Sequence, residues 1–386
     1  MSRAGGFSML EVLVAATVML VVSGMVVRLI DAGFAAVQAQ PEAADVQQRE
    51  RVAADALLND LLAAGNGPDR GVRAGSLMQS FPAILPFAAG TTSDDPPGTY
   101  VTNRLTIRYV PVAAPHATVA AAGPPLGSDW IGVDAQPQCP AVDPLCLFAA
   151  GTAVTIFDGS GHADFVTLTA IASAQPATLE HAGQSLAFTA YDPQATAIAG
   201  ITNVTYTLDR SAAQLTVADG LGAPAAPLAD NVIDLAFSYF GDPQPPQLAT
   251  YGPQPPPIGV QGPDPSWAPG ESCVFAVQGG PEGAVHVARL PVLGDGSAMV
   301  ALSPSQLTDG PWCPDPTSPT RWDADLLRIR VAVVTLRVQA AIAALRGPAG
   351  ALFAAAGTGR DSSRWVPDRQ ITFRVAPRSL NMGPAP

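Results

Sequence analysis

The chain has 386 residues, a net charge of −12 and 48% hydrophobic residues, and its 20 basic residues are all Arg. Such acidity argues against a general nucleic-acid binder, which shows a basic face. The absence of Lys, like the abundance of Ala, Gly and Pro, reads as GC-rich coding and marks no site. The length suits one large domain or two ordinary ones, with ample apolar content for a core.

The first predicted element lies at the N-terminus. A short leader, Met1 to Gly6, carries one positive charge, Arg3. Phe7 to Val27 follow, 21 residues containing a single charge, Glu11. That length suits a membrane-crossing helix, which needs about 20 apolar residues. A carboxylate near the start of such a span is costly unless paired, so Glu11 is a candidate functional residue. A secretory signal would place small residues after the apolar stretch; here the pair Gly5-Gly6 precedes it.

The Gly6-Phe7-x-x-x-Glu11 arrangement at this polar-to-apolar junction resembles the signal of type IV prepilins and type II secretion pseudopilins. The resemblance implies cleavage between Gly6 and Phe7 by a prepilin peptidase on the cytoplasmic side, and N-methylation of the new terminus at Phe7. It also implies that Glu11 pairs with the α-amine of a neighbouring subunit during assembly. The competing reading of Glu11 is an acid that snorkels to the headgroups.

Helical character continues beyond the span. Val46, Ala53, Leu57 and Leu61 fall on one stripe, and Gln47, Arg51, Asp55 and Asn59 form a polar row on another face. Pro41 is expected to kink the helix, and Gly65-Asn-Gly-Pro68 to stop it. Residues 7–64 thus predict one helix of about 85 Å, with 7–30 as its transmembrane part.

From residue 70 the pattern turns to strands. In 100–110, Leu105, Ile107 and Tyr109 alternate with Arg104, Thr106 and Arg108, which predicts a half-buried antiparallel strand. Residues 152–157 and 165–171 predict a hairpin around 158–162, and 185–191 a further strand. Residues 203–208 and 214–217 predict a second hairpin, and 232–240 a strand with an apolar face. Residues 241–322 break the rhythm with Pro and Gly and predict a surface insertion, with short strands near 274–277 and 285–290. The sheet resumes with a long strand at 326–338, whose Arg328, Arg330 and Arg337 are expected to face out. It ends with 370–375. The fold class is α+β: a long N-terminal helical spine, transmembrane in its first half, on an antiparallel β domain spanning 65–386.

The order Asn203 to Asp209, Ala229 to Phe240, Leu327 to Val334 and Phe373 to Asn381 is similar to PilW-type minor pilins and the related J-type pseudopilins. That resemblance implies a non-enzymatic minor pilin in the initiation or tip complex of a type IV pilus. The alternatives are a pseudopilin of type II secretion and a tip adhesin or DNA-uptake pilin. The implied partners are other minor pilins and the major pilin (or pseudopilins), the prepilin peptidase and methyltransferase, the inner-membrane assembly platform, and membrane lipid before assembly. No nucleic acid and no cofactor is expected. The β domain would lie in the periplasm and later at the cell surface.

Four cysteines behind an export signal favour disulfides. Cys139 and Cys146 flank a six-residue loop that closes easily on itself, and Cys273 would then pair with Cys313. Four cysteines allow three pairings, and the sequence does not choose among them. Zinc is not expected, because no Cys-x-x-Cys occurs and the four His show no ligand spacing. Asp158, Ser160, His162 and Asp164 alternate as in a calcium loop, but the later Glu is missing and a hairpin turn is the expectation. Asp323 and Asp325 are expected to be solvated turn residues. Asn203-Val-Thr205 matches a glycosylation sequon within a strand pattern. Tyr251, Trp267 and Trp312 in the insertion are expected to sit under the long loop or to contact a partner.

Overall fold

The computed structural model describes residues 8–67, 82–86, 102–120, 129–157, 163–173, 177–181, 196–219, 224–243, 275–276, 284–285, 298–303, 305–307, 312–314 and 321–381. One helix, α1 (Met9–Ala63), takes up 55 residues. Pro41 lies inside it and does not end it. The helix stops where Gly65 takes a positive φ of 75° and donates its N–H to Arg108 O at 2.9 Å. A Cβ at Gly65 would sit 2.9 Å from the Leu380 side chain, so glycine is needed both for the left-handed backbone and for the space.

The strands in chain order are β1 (Ile84–Leu85), β2 (Arg104–Tyr109), β3 (His116–Thr118), β4 (Trp130–Val133), β5 (Ala153–Phe157), β6 (Ala163–Thr167), β7 (Ala170–Ala172), β8 (Ala177–Glu180), β9 (Ala197–Gly200) and β10 (Thr202–Asp209). They continue with β11 (Gln214–Asp219), β12 (Ala226–Asp230), β13 (Val232–Gly241), β14 (Phe275–Ala276), β15 (Ala284–Val285), β16 (Val300–Leu302), β17 (Trp312–Pro314), β18 (Arg321–Asp323), β19 (Ile329–Val338) and β20 (Arg369–Val375). A short helix, α2 (Arg378–Asn381), follows.

Chain contacts divide the molecule into two compact units. One comprises Met1–Arg51 with Arg337–Gln370, and the other Val52–Leu336 with Ile371–Pro386. Five strands form the order β1-β2-β10-β11-β12 and four form β16-β13-β19-β20. Within the larger unit, β3-β9-β5-β6 and β4-β8-β7 are joined by a bridge between Val119 and Val133. Ile131, Leu145, Val154, Ile156, Leu179 and Ile198 fill a core they share. An α+β chain with an apolar N-terminal helix and antiparallel sheets is therefore established.

The expected hairpin 203–208/214–217 forms as β10 and β11, with Tyr206 opposite Val217. Its turn is held by Asp209, whose carboxylate accepts from Ser211 N at 2.8 Å, Ser211 Oγ at 2.6 Å and Ala212 N at 3.0 Å. These donors hold the Asp209 carboxyl below its ordinary range, the Ser211 hydroxyl first among them. The stretch 165–171 is not one strand: β6 pairs with β5, while β7 pairs with β8 in another sheet. In the insertion, β14 and β15 form a short hairpin near the expected strands. The 185–191 strand and the 158–162 turn lie outside the described residues, as do Tyr251, Trp267 and the side chain of Trp312.

Several polar residues expected at the surface are covered, each by a partner of its own. Strand β2 buries both faces. Leu105 and Ile107 are fully covered, and Arg108 on the other face is only 2% exposed. Arg108 Nε donates to Asn203 Oδ1 at 2.6 Å. The sequon Asn is thereby buried in β10 and occupied by a side chain. The long strand begins at Ile329, because Ala324–Arg328 form a 3-10 turn capped by Asp323, which accepts from Asp325 N at 2.7 Å. Asp323 and Asp325 are buried, not solvated. Arg328 turns inward and donates to Asp242 O at 2.9 Å and Pro243 O at 2.8 Å, where the chain leaves β13. Arg330 pairs with the Asp242 carboxylate at 2.9 Å, and burial lowers its pKa. Arg337 pairs with Asp368 at 2.9 Å. Backbone at this exit is so close that a Cβ on Gly241 would meet Arg328 O at 1.8 Å.

Candidate functional site

The site is the first half of α1. Met9–Ile30 has a mean hydropathy of 2.4 and none of it is buried, although it is long and apolar enough to cross a membrane. Leu10, Leu13, Met19, Leu20 and Leu29 are among its exposed side chains. A helix with apolar residues on every face, charged only near its two ends at Glu11 and Arg28, has no amphipathic stripe to fold onto its own protein, so its cover must come from outside the chain. A bilayer or other apolar helices can supply it. Thr17, inside the span, closes its own hydroxyl on Leu13 O at 2.8 Å.

Glu11 sits in the first turn. Ser8 N donates to Glu11 Oε2 at 3.4 Å, and Glu11 N donates to Ser8 Oγ at 3.4 Å. This reciprocal pairing of Ser and Glu three residues apart is a capping box, which satisfies two otherwise free N–H groups at a helix start. The positive end of the helix also favours the carboxylate there. One Glu11 oxygen is engaged with its own chain, and the side chain is exposed. The carboxylate can therefore accept a further cation without leaving the cap. Gly6 and Phe7 lie outside the described residues.

The rear half of α1 is built differently. Val46, Ala53, Leu57 and Leu61 are fully covered, while Gln47, Arg51, Asp55 and Asn59 are exposed, as the periodicity predicts. Sequence reasoning missed the acids on the buried stripe. Glu42 and Glu50 are each 7% exposed. Glu42 accepts from Ala341 N and pairs with Arg49 at 3.6 Å, and Arg49 also donates to Gln339 O at 3.4 Å. Glu50 pairs with Arg369 at 2.7 Å. Farther along, Asp60 accepts from Tyr109 OH at 2.8 Å and Tyr206 OH at 2.5 Å. Burial, then the bond to Asp60 and its charge, push both phenols above their ordinary pKa. The signal was in the spacing: Glu42, Val46, Glu50, Ala53, Leu57 and Asp60 follow three- and four-residue steps. An acid on an apolar stripe must find a partner.

Cys139 and Cys146 form a disulfide with Cα atoms 5.6 Å apart. The closed loop is braced by Gln136, whose backbone N donates to Pro144 O at 2.9 Å and whose amide donates to His116 O at 2.9 Å. Cys273 and the side chain of Cys313 lie outside the described residues. Among the described residues no three His, Cys, Asp or Glu side chains converge as a metal would need. No protein family, no curated protein and no solved structure matches this chain.

Proposed function

We propose that this chain is a minor pilin of the PilW type, processed between Gly6 and Phe7 and incorporated into the initiation or tip complex of a type IV pilus. The observation that carries the reading is the unbroken helix from Met9 to Ala63, apolar and uncovered in its first half and covered along one stripe in its second. A helix of that design has two successive environments. It is held first by lipid, and then by the apolar helices of neighbouring subunits. Its rear half stays fixed to β structure in both.

Glu11 supplies direction to that transfer. A carboxylate near the middle of hydrocarbon costs about 2.5–3.5 kcal/mol on insertion scales, less near the interface. A neighbour's ammonium offsets that cost, and the Ser8 cap keeps the carboxylate at the helix start where the amine of an incoming subunit arrives. Glu11→Ala is expected to leave processing intact and to lower incorporation about ten- to hundredfold, the ratio that 1.4–2.8 kcal/mol produces. Immunoblots of sheared filaments from cells carrying that variant read this directly, and incorporation at normal levels would remove the pairing role. Gly6→Leu is expected to leave a slightly heavier unprocessed precursor. Deleting the gene should abolish surface pili and twitching; a deletion that spares pili and stops protein secretion would instead make the chain a pseudopilin.

A further inference from the structure

Between β19 and β20, within the unit that also holds residues 1–51, lies a long connection with a definite build. Residues 340–359 contain one charged side chain in twenty, Arg346, and eleven alanines and leucines among small and apolar neighbours. The loop has its own small core. Leu345, Phe353 and Val366 are buried, and Phe353 meets Trp365 edge to face with centroids 5.7 Å apart. Backbone bonds lock it, from Gly357 N to Gly347 O at 2.9 Å, Thr358 N to Ala343 O at 2.8 Å and Val366 N to Leu345 O at 2.8 Å. Arg346 points its guanidinium inward, onto Ala340 O at 2.5 Å and Ala341 O at 2.8 Å. What remains outside is uncharged and mostly small: Ala341, Ile342, Ala349, Leu352 and Ala355 are all exposed, Leu352 at 61%.

A run of exposed uncharged residues on an ordered loop, with Ile342 and Leu352 among them, is the kind of surface a partner can cover. Its height along α1 decides among the occupants. The loop meets the helix at Glu42 and Arg49. Glu42 stands 12 residues beyond Ile30, about 18 Å along the axis. A bilayer covering Met9–Ile30 adds only about 5–8 Å of headgroups beyond its hydrocarbon, so lipid does not reach the loop. The same chain, however, presents an uncovered apolar helix. Small residues are the surface on which such a helix packs, because they let its backbone approach closely. We infer that the 340–359 loop is a docking surface for the apolar N-terminal helix of the next subunit in the assembly, a helix of the kind that Met9–Ile30 of this chain represents.

The two patches are different parts of the subunit, so the contact is head-to-tail, and a head-to-tail contact that does not close builds a filament. It also sets the stagger. The middle of the span lies about 26 residues before the level of the loop, so neighbours are offset by about 40 Å along the helix axis. The inference rests on the assembly reading above, and the experiment separates the two. Full-length chain carrying a photoreactive phenylalanine in place of Leu352 is mixed in detergent with a tagged copy of unaltered sequence, the detergent is diluted below its micelle concentration so that neither span is held in a bilayer, and the sample is irradiated. The same is done with the probe in place of Leu20. The expected result is a tagged adduct from both positions, the Leu352 adduct mapping by mass spectrometry to residues 9–30 of the tagged copy. Adducts from the Leu20 position alone, or Leu352 adducts confined to detergent, would overturn the docking surface and leave assembly standing. No intermolecular adduct from either position would overturn both. In cells, Leu352→Glu is expected to leave processing unchanged and to reduce incorporation at least tenfold, and normal incorporation of that variant also counts against the docking surface.

Discussion

Asp60 shows how one residue fixes a helix on a sheet. Its two oxygens each take a phenol, Tyr109 from β2 and Tyr206 from β10. The geometry specifies both the rotation and the axial position of the rear helix, since a one-residue slide moves the carboxylate by about 1.5 Å and turns it by about 100°. Asp60→Ala removes the acceptor from two phenols at once. Each stranded polar group costs about 1–3 kcal/mol when buried, and Asp60 is only partly covered, so a total loss near 2–3 kcal/mol is expected in urea unfolding. The pH dependence has a definite sign. Both phenols are raised, so the folded state holds their protons more tightly than the unfolded chain does. The stability they contribute is complete below the ordinary phenol value of about 10 and declines as pH rises past it. Absorbance titration should show Tyr109 and Tyr206 ionising only as the protein unfolds. Asp60→Asn, which keeps an acceptor but removes the charge, should make the alkaline decline shallower. Early ionisation of both phenols in the folded protein would show that the triad is open to water.

At the scale of elements, much was legible. The 3.6-residue stripe Val46–Ala53–Leu57–Leu61 is the buried one, and the strands β10, β11, β13 and β20 fall where period-two alternation places them. Gly65 ends the helix as its sequence context predicts. What was illegible has a common cause. Alternation tells which side chains share a face, but not whether the second face meets water or another layer. Arg108, Arg328, Asp323 and Asp325 all lie on faces that a second layer or a chain exit covers, so charges that read as solvated are buried. The candidate site divides in the same way. The span and Glu11 follow from composition and position, whereas the Ser8–Glu11 cap needed geometry, although the Ser-x-x-Glu spacing was present in the sequence. The Glu50–Arg369 pair offers a test at this scale. Glu50 is covered, while the Arg369 side chain is 46% exposed, so screening reduces what the pair contributes. Arg369→Ala is expected to cost about 1–2 kcal/mol, because it leaves a buried carboxylate unpaired. Glu50→Leu should fall within about 0.5 kcal/mol of the unaltered chain, since it removes the charge and extends the stripe between Val46 and Ala53. Urea denaturation of both variants would settle the ranking. If Glu50→Leu is the worse of the two, the acid contributes more than a compensated charge.

For the whole molecule, the decisive asymmetry lies within one helix. Its rear half is tied down by a covered stripe and by acids at positions 42, 50 and 60, while Met9–Ile30 at its front has no buried residue. Removing a span that is not buried against the rest of the chain is expected to remove little folding energy, only the need for an apolar solvent. A chain lacking residues 1–30 is therefore expected to be soluble without detergent. It should keep the Cys139–Cys146 bridge, and it should unfold within about 3 °C of the full-length protein in mild detergent, a shift worth roughly 2 kcal/mol in a molecule of this size. Circular dichroism melts of the two forms supply the comparison. A fall of 10 °C or more in the shortened chain would mean that the span packs against its own protein. Its exposed leucines and valines would then have an internal partner, and the assembly role proposed for them would lose its physical basis. An unchanged melt would mean that nothing within the chain covers the apolar surface of Met9–Ile30, which is the condition that the proposed transfer from bilayer to neighbouring subunits requires.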